Sequence, residues 1–193
     1  MRTVVTFLIL SFGLFMTPVV QADKTVLAGG CFWCMEKDFE SLEGVSDVVS
    51  GFTGGVAANP TYNGDHTGHY EAVEITYDPA VISYQGILDH FWINIDPFDA
   101  KGQFCDKGPS YLSAVFVASD EERALAEKTR QRVVERFPGQ KVVTPVLDAA
   151  TFYPIQGNEI GHQDFYKKNP VRYKTYRWGC GRDSRLAEIW GER

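Results

Sequence analysis

The sequence has no cluster of basic residues, no internal repeat and no low-complexity linker. Its formal net charge is −6 at pH 7, and an acidic chain without a basic patch is a poor binder of nucleic acid. No stretch after the first 22 residues is apolar enough to cross a membrane. These absences argue against a nucleic-acid binder, a repeat protein and a membrane-embedded mature protein.

The first 22 residues have the pattern of a secretory signal peptide. Arg2 supplies the positive charge, residues 4–16 are mostly apolar, and Val20-Gln21-Ala22 has the small-residue ending of a cleavage site. We therefore expect cleavage after Ala22 and one domain over residues 23–193, exported to the periplasm or secreted. A retained N-terminal anchor is the alternative.

Cysteine is scarce, and all four cysteines lie in the part expected to be exported. They are Cys31, Cys34, Cys105 and Cys180. An even number in an oxidising compartment is typical of structural disulfides, with three possible pairings. The C-x-x-C spacing of Cys31 and Cys34 also fits a redox disulfide, a nucleophile beside a second thiol, or half of a zinc site. The zinc interpretation is weak because no second C-x-x-C pair exists.

Hydrophobic periodicity predicts alternating strands and helices. The predicted strands are residues 25–28, 45–52, 70–77, 114–118 and 142–147. The predicted helices are residues 32–42, 83–95 and 119–137, with loops over 54–69 and 97–110 that are long enough to carry function.

The order of these elements is β-α-β-β-α-β-α-β, and the first six match the split βαβ, ferredoxin-like arrangement. We therefore predict an α+β single domain, a two-layer sheet-and-helix sandwich with a ferredoxin-like core. After Ala150 the pattern is lost, which predicts a long irregular C-terminal tail with short helices near residues 161–168 and 184–190.

Cys31 is expected at the start of the first predicted helix. Gly29 and Gly30 precede it and permit a tight turn. The unpaired N–H groups and the positive end of the dipole at a helix start favour the thiolate, which is the nucleophilic form of cysteine. Phe32 and Trp33 place aromatic rings beside the sulfur. The sequence therefore predicts a reactive sulfur next to an apolar pocket.

Several motifs in the same order resemble those of the A-type peptide methionine sulfoxide reductases. They are Gly30-Cys31-Phe32-Trp33 with Glu36, Asn59-Pro60-Thr61-Tyr62, Thr67-Gly68-His69-Tyr70-Glu71-Ala72-Val73, Tyr77-Asp78-Pro79, Phe91-Trp92 to Pro97, and Asp106 with Tyr111-Leu112-Ser113-Ala114. The resemblance covers most of the expected mature chain up to Ala114 and is weaker after it. It implies repair of oxidised methionine, acting on the S epimer of the sulfoxide.

The resemblance implies a role for each matching residue. Cys31 would attack the sulfoxide sulfur, and Glu71 would donate a proton to the leaving oxygen from an apolar site that raises its pKa. Tyr62 and Tyr111 would hold the sulfoxide oxygen. Asp106 would help hold the substrate backbone or order the site. Without the resemblance, these would be read as a solvated carboxylate, half-buried aromatics and a turn residue.

Phe32 and Trp33 match the family's pocket for the methyl group of the substrate, although aromatics at helical positions are more often core residues. Attack would leave Cys31 as a sulfenic acid, which a second thiol resolves to a disulfide. Cys180, between two glycines, is the favoured resolving cysteine, with Cys34 close behind. In the family the usual resolving cysteine lies near a flexible, glycine-rich C-terminus, whereas a further helix is expected after Cys180, and many members have glycine in place of Cys34. Cys105, beside Asp106, is a third candidate.

The implied partners are oxidised proteins, peptides and free methionine sulfoxide, together with a thioredoxin-like dithiol that resets the enzyme. No metal or bound cofactor is implied, and we expect a monomer. The histidines have weaker claims than the residues above, and His69 and His162 are the two that could line or order the pocket.

Two other functions fit parts of the sequence. An exported thiol–disulfide oxidoreductase would use Cys31 and Cys34 directly and would not need Glu71. A disulfide-stabilised binding domain would pair the cysteines for stability alone.

Overall fold

The computed structural model describes residues 22–192, and the predicted signal peptide therefore lies outside the described residues except for Ala22. The strands are β1 (Asp23–Gly29), β2 (Val45–Thr53), β3 (Tyr70–Tyr77), β4 (Gly102–Gln103), β5 (Asp106–Lys107), β6 (Ser113–Val117), β7 (Val146–Asp148) and β8 (Tyr153–Pro154). The helices are α1 (Phe32–Glu40), α2 (Tyr84–Ile93), α3 (Asp120–Arg136), α4 (Phe165–Lys168), α5 (Pro170–Gly179) and α6 (Arg182–Trp190).

The main sheet has the strand order β7-β6-β1-β3-β2-β8. Its four central strands are antiparallel, with Leu27 of β1 opposite Val73 of β3 on one side and Val115 of β6 on the other. This order, with β1 and β3 in the middle, confirms the ferredoxin-like core predicted from the order of the elements. β7 adds a parallel strand at one edge.

One face of the sheet carries the helices and the main core. Alternation along β3 sends Glu71, Val73 and Ile75 to the same face. Val73 and Ile75 are completely buried in the main apolar cluster with Phe32 of α1. Glu71 therefore ends at the buried edge of that core, next to the start of α1. A smaller cluster built around Phe116 covers the opposite face.

The predicted helix starts agree with the structure where a capping side chain is present. Ser83 caps α2, since its hydroxyl accepts the N–H of Gly86 at 3.1 Å. Ser119 accepts the N–H of Glu122 at 3.2 Å, and the Glu122 carboxylate accepts the N–H of Ala118 at 2.6 Å. The S-x-x-E pattern that begins at Ser119 predicts a capping box at this helix start. Ser119 makes its half of the box, whereas the Glu122 carboxylate binds the N–H of Ala118 instead of that of Ser119.

The predicted strand over residues 142–147 is wrong over residues 142–145, because β7 begins only at Val146. Residues 142–145 are held by other partners. The N–H of Val143 donates to Pro97, and the guanidinium of Arg130 donates to the carbonyl of Thr144. Pro145 has no N–H to give to a ladder.

The C-terminal tail holds more helix than the sequence pattern predicts. The structure has a 3-10 turn at Gly157–His162 and α4 where one short helix was expected near residues 161–168, and α6 begins two residues before the predicted 184–190. Helix α5 was not predicted at all. Pro170 at its first turn is a usual helix-start signal that the pattern analysis did not use.

A buried carboxylate fixes this tail to α1. Glu36 is fully buried and accepts hydrogen bonds from the Ser50 hydroxyl at 2.8 Å, the Gln163 amide at 3.0 Å and the backbone N–H of Asp164 at 2.6 Å. Burial raises the pKa of Glu36 to about 7. A disulfide between Cys105, beside β5, and Cys180, at the end of α5, makes a second attachment. Among residues 22–192, none of the helices is long and apolar enough to span a membrane.

Candidate active site

Cys31 occupies the residue before the first turn of α1, as the sequence predicts. Its carbonyl accepts the N–H groups of Cys34 and Met35 at 3.1 and 3.3 Å. Gly30 has a φ of 83°, and a Cβ there would lie 2.5 Å from the Cβ of Gln103. A side chain at Gly29 would come within 2.4 Å of the Met35 sulfur. The turn therefore requires glycine at both positions, for conformation and for space.

The thiol of Cys31 is not ionised, although a thiolate is expected at a helix start. Its side chain is buried, with 6% of its surface exposed. Burial raises the pKa of Cys31, and the neighbouring Cys34 and Glu71 raise it further. Loss of solvent and the adjacent negative groups outweigh the helix dipole here. In the free protein Cys31 is therefore held as a thiol.

The pKa of Cys34, one turn along α1, is lowered instead of raised. A hydrogen bond from the Cys31 thiol lowers the pKa of Cys34 to about 7, and the guanidinium groups of Arg182 and Arg177 lower it too. Burial and Asp38 act against them. Cys34 is the thiol of this pair that ionises first.

Glu71 stands at the start of β3 with its carboxyl against the start of α1. Its Oε2 accepts the backbone N–H of Phe32 at 3.2 Å. Burial raises the pKa of Glu71 to about 8, although the bonds from Phe32 and from the Tyr111 hydroxyl oppose the shift. At neutral pH the carboxyl keeps its proton, so it can act as an acid next to Cys31.

Two tyrosines face the same place as Glu71. Burial, followed by the charge of Glu71, raises the pKa of Tyr62 to about 12 and raises that of Tyr111 as well. Both hydroxyls therefore remain protonated and can donate to an oxygen bound near Cys31. The structure thus brings together the nucleophile, the acid and both hydroxyls that the sequence analysis selected.

The aromatic wall of the site joins α1 to the tail. Phe32 is in the core and stacks against Tyr62, with ring centroids 5.9 Å apart. Trp33 stacks on Phe165 at 3.8 Å, and its indole N–H donates to Nδ1 of His162 at 3.2 Å. Burial lowers the pKa of His162, which keeps that nitrogen free to accept. Of the histidines, His162 is the one that contacts this wall.

The other histidines belong to the scaffold. His69 is fully buried and its ring joins Gly55 and Ala57 of the loop before β3. His90 bonds to the carbonyl of Asp38, and His66 to the carbonyl of Thr61. The expectation that most histidines are structural fits these three.

Asp106 contacts the site through a residue that the sequence analysis missed. The hydroxyl of Tyr176, on α5, donates to Oδ2 of Asp106, and it also hydrogen-bonds to Cys31. Burial is the main cause that raises the pKa of Asp106. A hydroxyl carries one proton, so Tyr176 can donate to only one of these groups at a time.

Two arginines of the tail complete the surroundings of the cysteine pair. Arg177 donates twice to Asp38, at 2.9 Å each, and also binds Asp183. Arg182 is 1% exposed and donates to the carbonyl of Asn94 at 2.7 Å. The sequence offered no direct signal for these residues, because their roles depend on a tail helix whose position is set by tertiary contacts.

The structure pairs Cys105 with Cys180 and leaves Cys31 and Cys34 as free thiols. In this state Cys180, the favoured resolving cysteine, is already bonded, and Cys34 is the thiol that lies beside Cys31. Of the three full pairings that the sequence left open, the one that is compatible with this disulfide would join Cys31 to Cys34.

Two groups of possible metal ligands occur among the described residues, and both have other partners. Cys105 and Cys180 of the first group form the disulfide. In the second group, with Glu36, Glu40 and Asp164, the ammonium of Lys167 lies 2.6 Å from Glu40 and 2.7 Å from Asp164. Neither cluster offers the open acidic site that a cation needs.

Comparison with known proteins agrees with this geometry. The family model described as peptide methionine sulfoxide reductase matches residues 23–193. Peptide methionine sulfoxide reductase MsrA 2 of Caulobacter vibrioides is 48% identical over 180 residues, covering 90% of each chain. The MsrA of Bacillus subtilis is 48% identical over 177 residues, covering 90% of this chain and 98% of its own.

Solved structures of similar fold include a methionine sulfoxide reductase. Mxr1 of Saccharomyces cerevisiae in reduced form is 27% identical with a TM-score of 0.70, covering 80% of this chain and 89% of its own. Methionine sulfoxide reductase A of Corynebacterium diphtheriae is 28% identical with a TM-score of 0.66, covering 78% and 76%. Because the family model matches residues 23–193 and both relatives are 48% identical over 90% of the chain, the chain belongs to the peptide methionine sulfoxide reductase family.

Proposed function

We propose that this protein is an exported peptide-methionine (S)-S-oxide reductase in which Cys31 is the nucleophile and Glu71 the proton donor. The observation that carries the proposal is the position of the Glu71 carboxyl, which is protonated at neutral pH and bonded to the peptide N–H that follows Cys31. A sulfoxide oxygen bound near that N–H would lie within reach of the acid.

The first step is attack of the Cys31 sulfur on the sulfoxide sulfur. The oxygen of the sulfoxide takes the proton of Glu71, supported by the hydroxyls of Tyr62 and Tyr111. Methionine leaves and Cys31 remains as a sulfenic acid. The aromatic side chains of Phe32 and Trp33 would bind the methyl group of the substrate, and Asp106 would order the site through Tyr176.

The second step forms a disulfide from the sulfenic acid. Cys34 is the thiol closest in the chain and hydrogen-bonds to Cys31. This geometry makes Cys34 the better resolving cysteine while the disulfide of Cys105 and Cys180 is closed, and Cys180 stays the alternative when that bond is open. Water is the product that carries the oxygen away.

A thioredoxin-like dithiol would then reduce the Cys31–Cys34 disulfide by exchange, so that the reaction needs no bound cofactor. Yeast Mxr1, a protein of similar fold, has been solved in complex with Trx2. The substrates would be oxidised proteins, peptides and free methionine sulfoxide, and the protein would act as a monomer.

Export is supported by three observations. The first 22 residues have the signal pattern, and the family match begins at residue 23. A disulfide such as Cys105–Cys180 is typical of an oxidising compartment. Intact-mass analysis of the protein recovered from cells tests this part, since a mass that includes residues before Asp23 would contradict cleavage after Ala22.

Reduction of S and R methionine sulfoxide in short peptides, with excess dithiothreitol, tests the reaction. We expect turnover of the S epimer only, lost in Cys31→Ser and strongly reduced in Glu71→Gln. A protein that reduces protein disulfides but not sulfoxides would instead be the thiol–disulfide oxidoreductase that the C-x-x-C pair also allows.

A further inference from the structure

We propose that Cys34 is also the base that accepts the proton of Cys31 as the substrate sulfoxide is attacked, and that Arg177 and Arg182 of the tail hold Cys34 ready for this role. The inference rests on the proposed function and deepens it. It gives Cys34 a task in the first step, before any disulfide is formed.

The first support is the placement of the two sulfurs. Cys31 and Cys34 are three residues apart at the start of α1, so their side chains lie on one face of the first turn. Cys31 hydrogen-bonds to Cys34, with the Cys31 thiol as the donor when Cys34 is charged. The proton that Cys31 must lose before it attacks therefore already points at an acceptor.

The second support is the charge around Cys34. Cys34 is 1% exposed and packs with Phe165 and Tyr173 in a small cluster of the tail. A charged thiolate in such a place needs positive groups nearby, and the guanidinium groups of Arg177 and Arg182 supply them. Arg182 is buried and Arg177 is half-buried, with 2% and 11% of their side-chain surfaces exposed.

Groups of both signs act on Cys34 from each element packed against it. They are Cys31 and Asp38 from α1, Glu71 from β3, Tyr173, Tyr176 and Arg177 from α5, and Arg182 from α6. Asp38 is itself bonded twice to Arg177, which offsets its negative charge. The result is a pKa of about 7 for Cys34, close to the value that suits a base at neutral pH.

The proposed step balances as follows. The Cys31 proton passes to the Cys34 sulfur as the Cys31 sulfur attacks the sulfoxide sulfur. The S–O bond of the sulfoxide breaks and an S–O bond to Cys31 forms, so that Cys31 is oxidised to a sulfenic acid and the sulfoxide sulfur is reduced to the thioether. Glu71 gives its proton to the oxygen that becomes the sulfenic hydroxyl. Cys34, now a thiol, then attacks the sulfenic sulfur; the S–S bond forms, the S–O bond breaks, and the Cys34 proton leaves with the hydroxide as water.

A single-turnover experiment without reductant isolates the first step, because one methionine is released before any disulfide is needed. We expect Cys34→Ser to release methionine about a hundredfold more slowly than wild type at pH 7, the usual size of a general-base contribution. The difference between the two rates should become smaller as pH rises, because Cys31 then ionises without a base. The charge of Cys34 helps to raise the pKa of Glu71, so the same comparison is made in a Glu71→Gln background, where this carboxyl does not titrate.

Arg177→Gln provides a second measurement that does not depend on removing the sulfur. We expect it to raise the pH midpoint of thiolate formation, followed by ultraviolet absorbance in the protein with Cys31 and Cys34 reduced. Lys174→Gln is the matched control, because Lys174 is exposed on the same helix, and its midpoint should equal that of wild type.

Two outcomes would overturn the inference. One is an equal rate of single-turnover methionine release in wild type and Cys34→Ser at every pH, which would leave Cys34 as a resolving thiol only. The other is a thiolate that still forms near pH 7 in Cys34→Ser, which would place the charge on Cys31. Failure of the proposed function itself would look different, since wild type would release no methionine.

Discussion

Oε2 of Glu71 accepts the backbone N–H of Phe32 at 3.2 Å, which joins the start of β3 to the start of α1. This bond fixes the carboxyl beside Cys31 without using a charged partner. A buried carboxyl without a cation keeps its proton, and burial accordingly raises the pKa of Glu71 to about 8. The hydrogen bond therefore positions the acid, and burial, which outweighs the lowering of the pKa by that bond, keeps the proton on the carboxyl.

Removing the acid should slow the first step and leave the fold intact. In Glu71→Gln the amide oxygen can still accept the N–H of Phe32, but the side chain has no acidic proton to give. We expect single-turnover methionine release to fall by about 10²- to 10³-fold at pH 7, with an unchanged thermal midpoint. A loss below tenfold would mean that another group protonates the oxygen.

The pH profile should carry the signature of the same carboxyl. The protonated form of Glu71 is the active one, so wild-type single-turnover release should decline as pH rises through about 8. The decline should be absent in Glu71→Gln, whose side chain does not titrate. Rapid-quench measurements from pH 6 to 10 would check this, and an identical alkaline limb in both proteins would assign the limb to another residue.

Tyr176 is predicted to order the site through Asp106. Tyr176→Phe removes the hydroxyl that contacts both Asp106 and Cys31, and we expect kcat/KM to fall at least tenfold because a hydrogen bond to a charged group is lost. Tyr166→Phe is the matched control, since that hydroxyl also donates to a carboxylate, Glu40. Equal losses in the two variants would show that only packing is affected.

Glu159 is predicted to hold the loop that carries Tyr62. Its carboxylate accepts the backbone N–H groups of Tyr62 and Asn63 at 2.8 and 2.9 Å. Glu159→Ala should raise KM for a peptide sulfoxide more than it lowers kcat, because the loop loses its attachment to the tail. Glu127→Ala, an exposed position on α3, should change neither. A pure kcat effect in Glu159→Ala would contradict this role.

The disulfide should stabilise the fold by reducing the conformational entropy of the unfolded chain. Cys105 and Cys180 are 75 residues apart, and a closed loop of that length predicts a contribution of about 4 kcal/mol. The Cys105→Ser/Cys180→Ser double variant should therefore unfold at lower denaturant concentration than oxidised wild type. A reducing agent should shift the midpoint of wild type and not of the variant; an unshifted wild type would exclude a stabilising bond.

The longer strands and the helices up to residue 137 could be predicted because each is encoded by its own neighbours. The short strands β4 and β5, which lie in the predicted loop over residues 97–110, were not predicted. Period-two alternation in β3, the S-x-x-E pattern at Ser119 and the two glycines before Cys31 are local signals. The residues that surround Cys34 are not local. Arg177 and Arg182 reach it from more than 140 positions away, and no pattern in either segment refers to the other.

The protonation states of Cys31 and Cys34 could not be predicted from local sequence either. The start of a helix predicts a thiolate at Cys31, which is sound for an exposed sulfur. Burial and the charge on Cys34 reverse that expectation, and both follow from the tail that packs over α1. The choice between Cys34 and Cys180 as resolving cysteine depended likewise on a disulfide that sequence spacing could not select.

Because the site is formed by contacts between α1 and the C-terminal tail, it can assemble only after the tail has been synthesised. Trp33 meets His162 and Phe165, and the cysteine pair meets Tyr176 and Arg182, so the first and last parts of the domain build one site. Synthesis delivers these parts at opposite ends of its course. A nascent or truncated chain ending before Gly157 would carry Cys31 and Glu71 without these tail residues. We therefore expect the newly made protein to complete this site only when its final helices have been released.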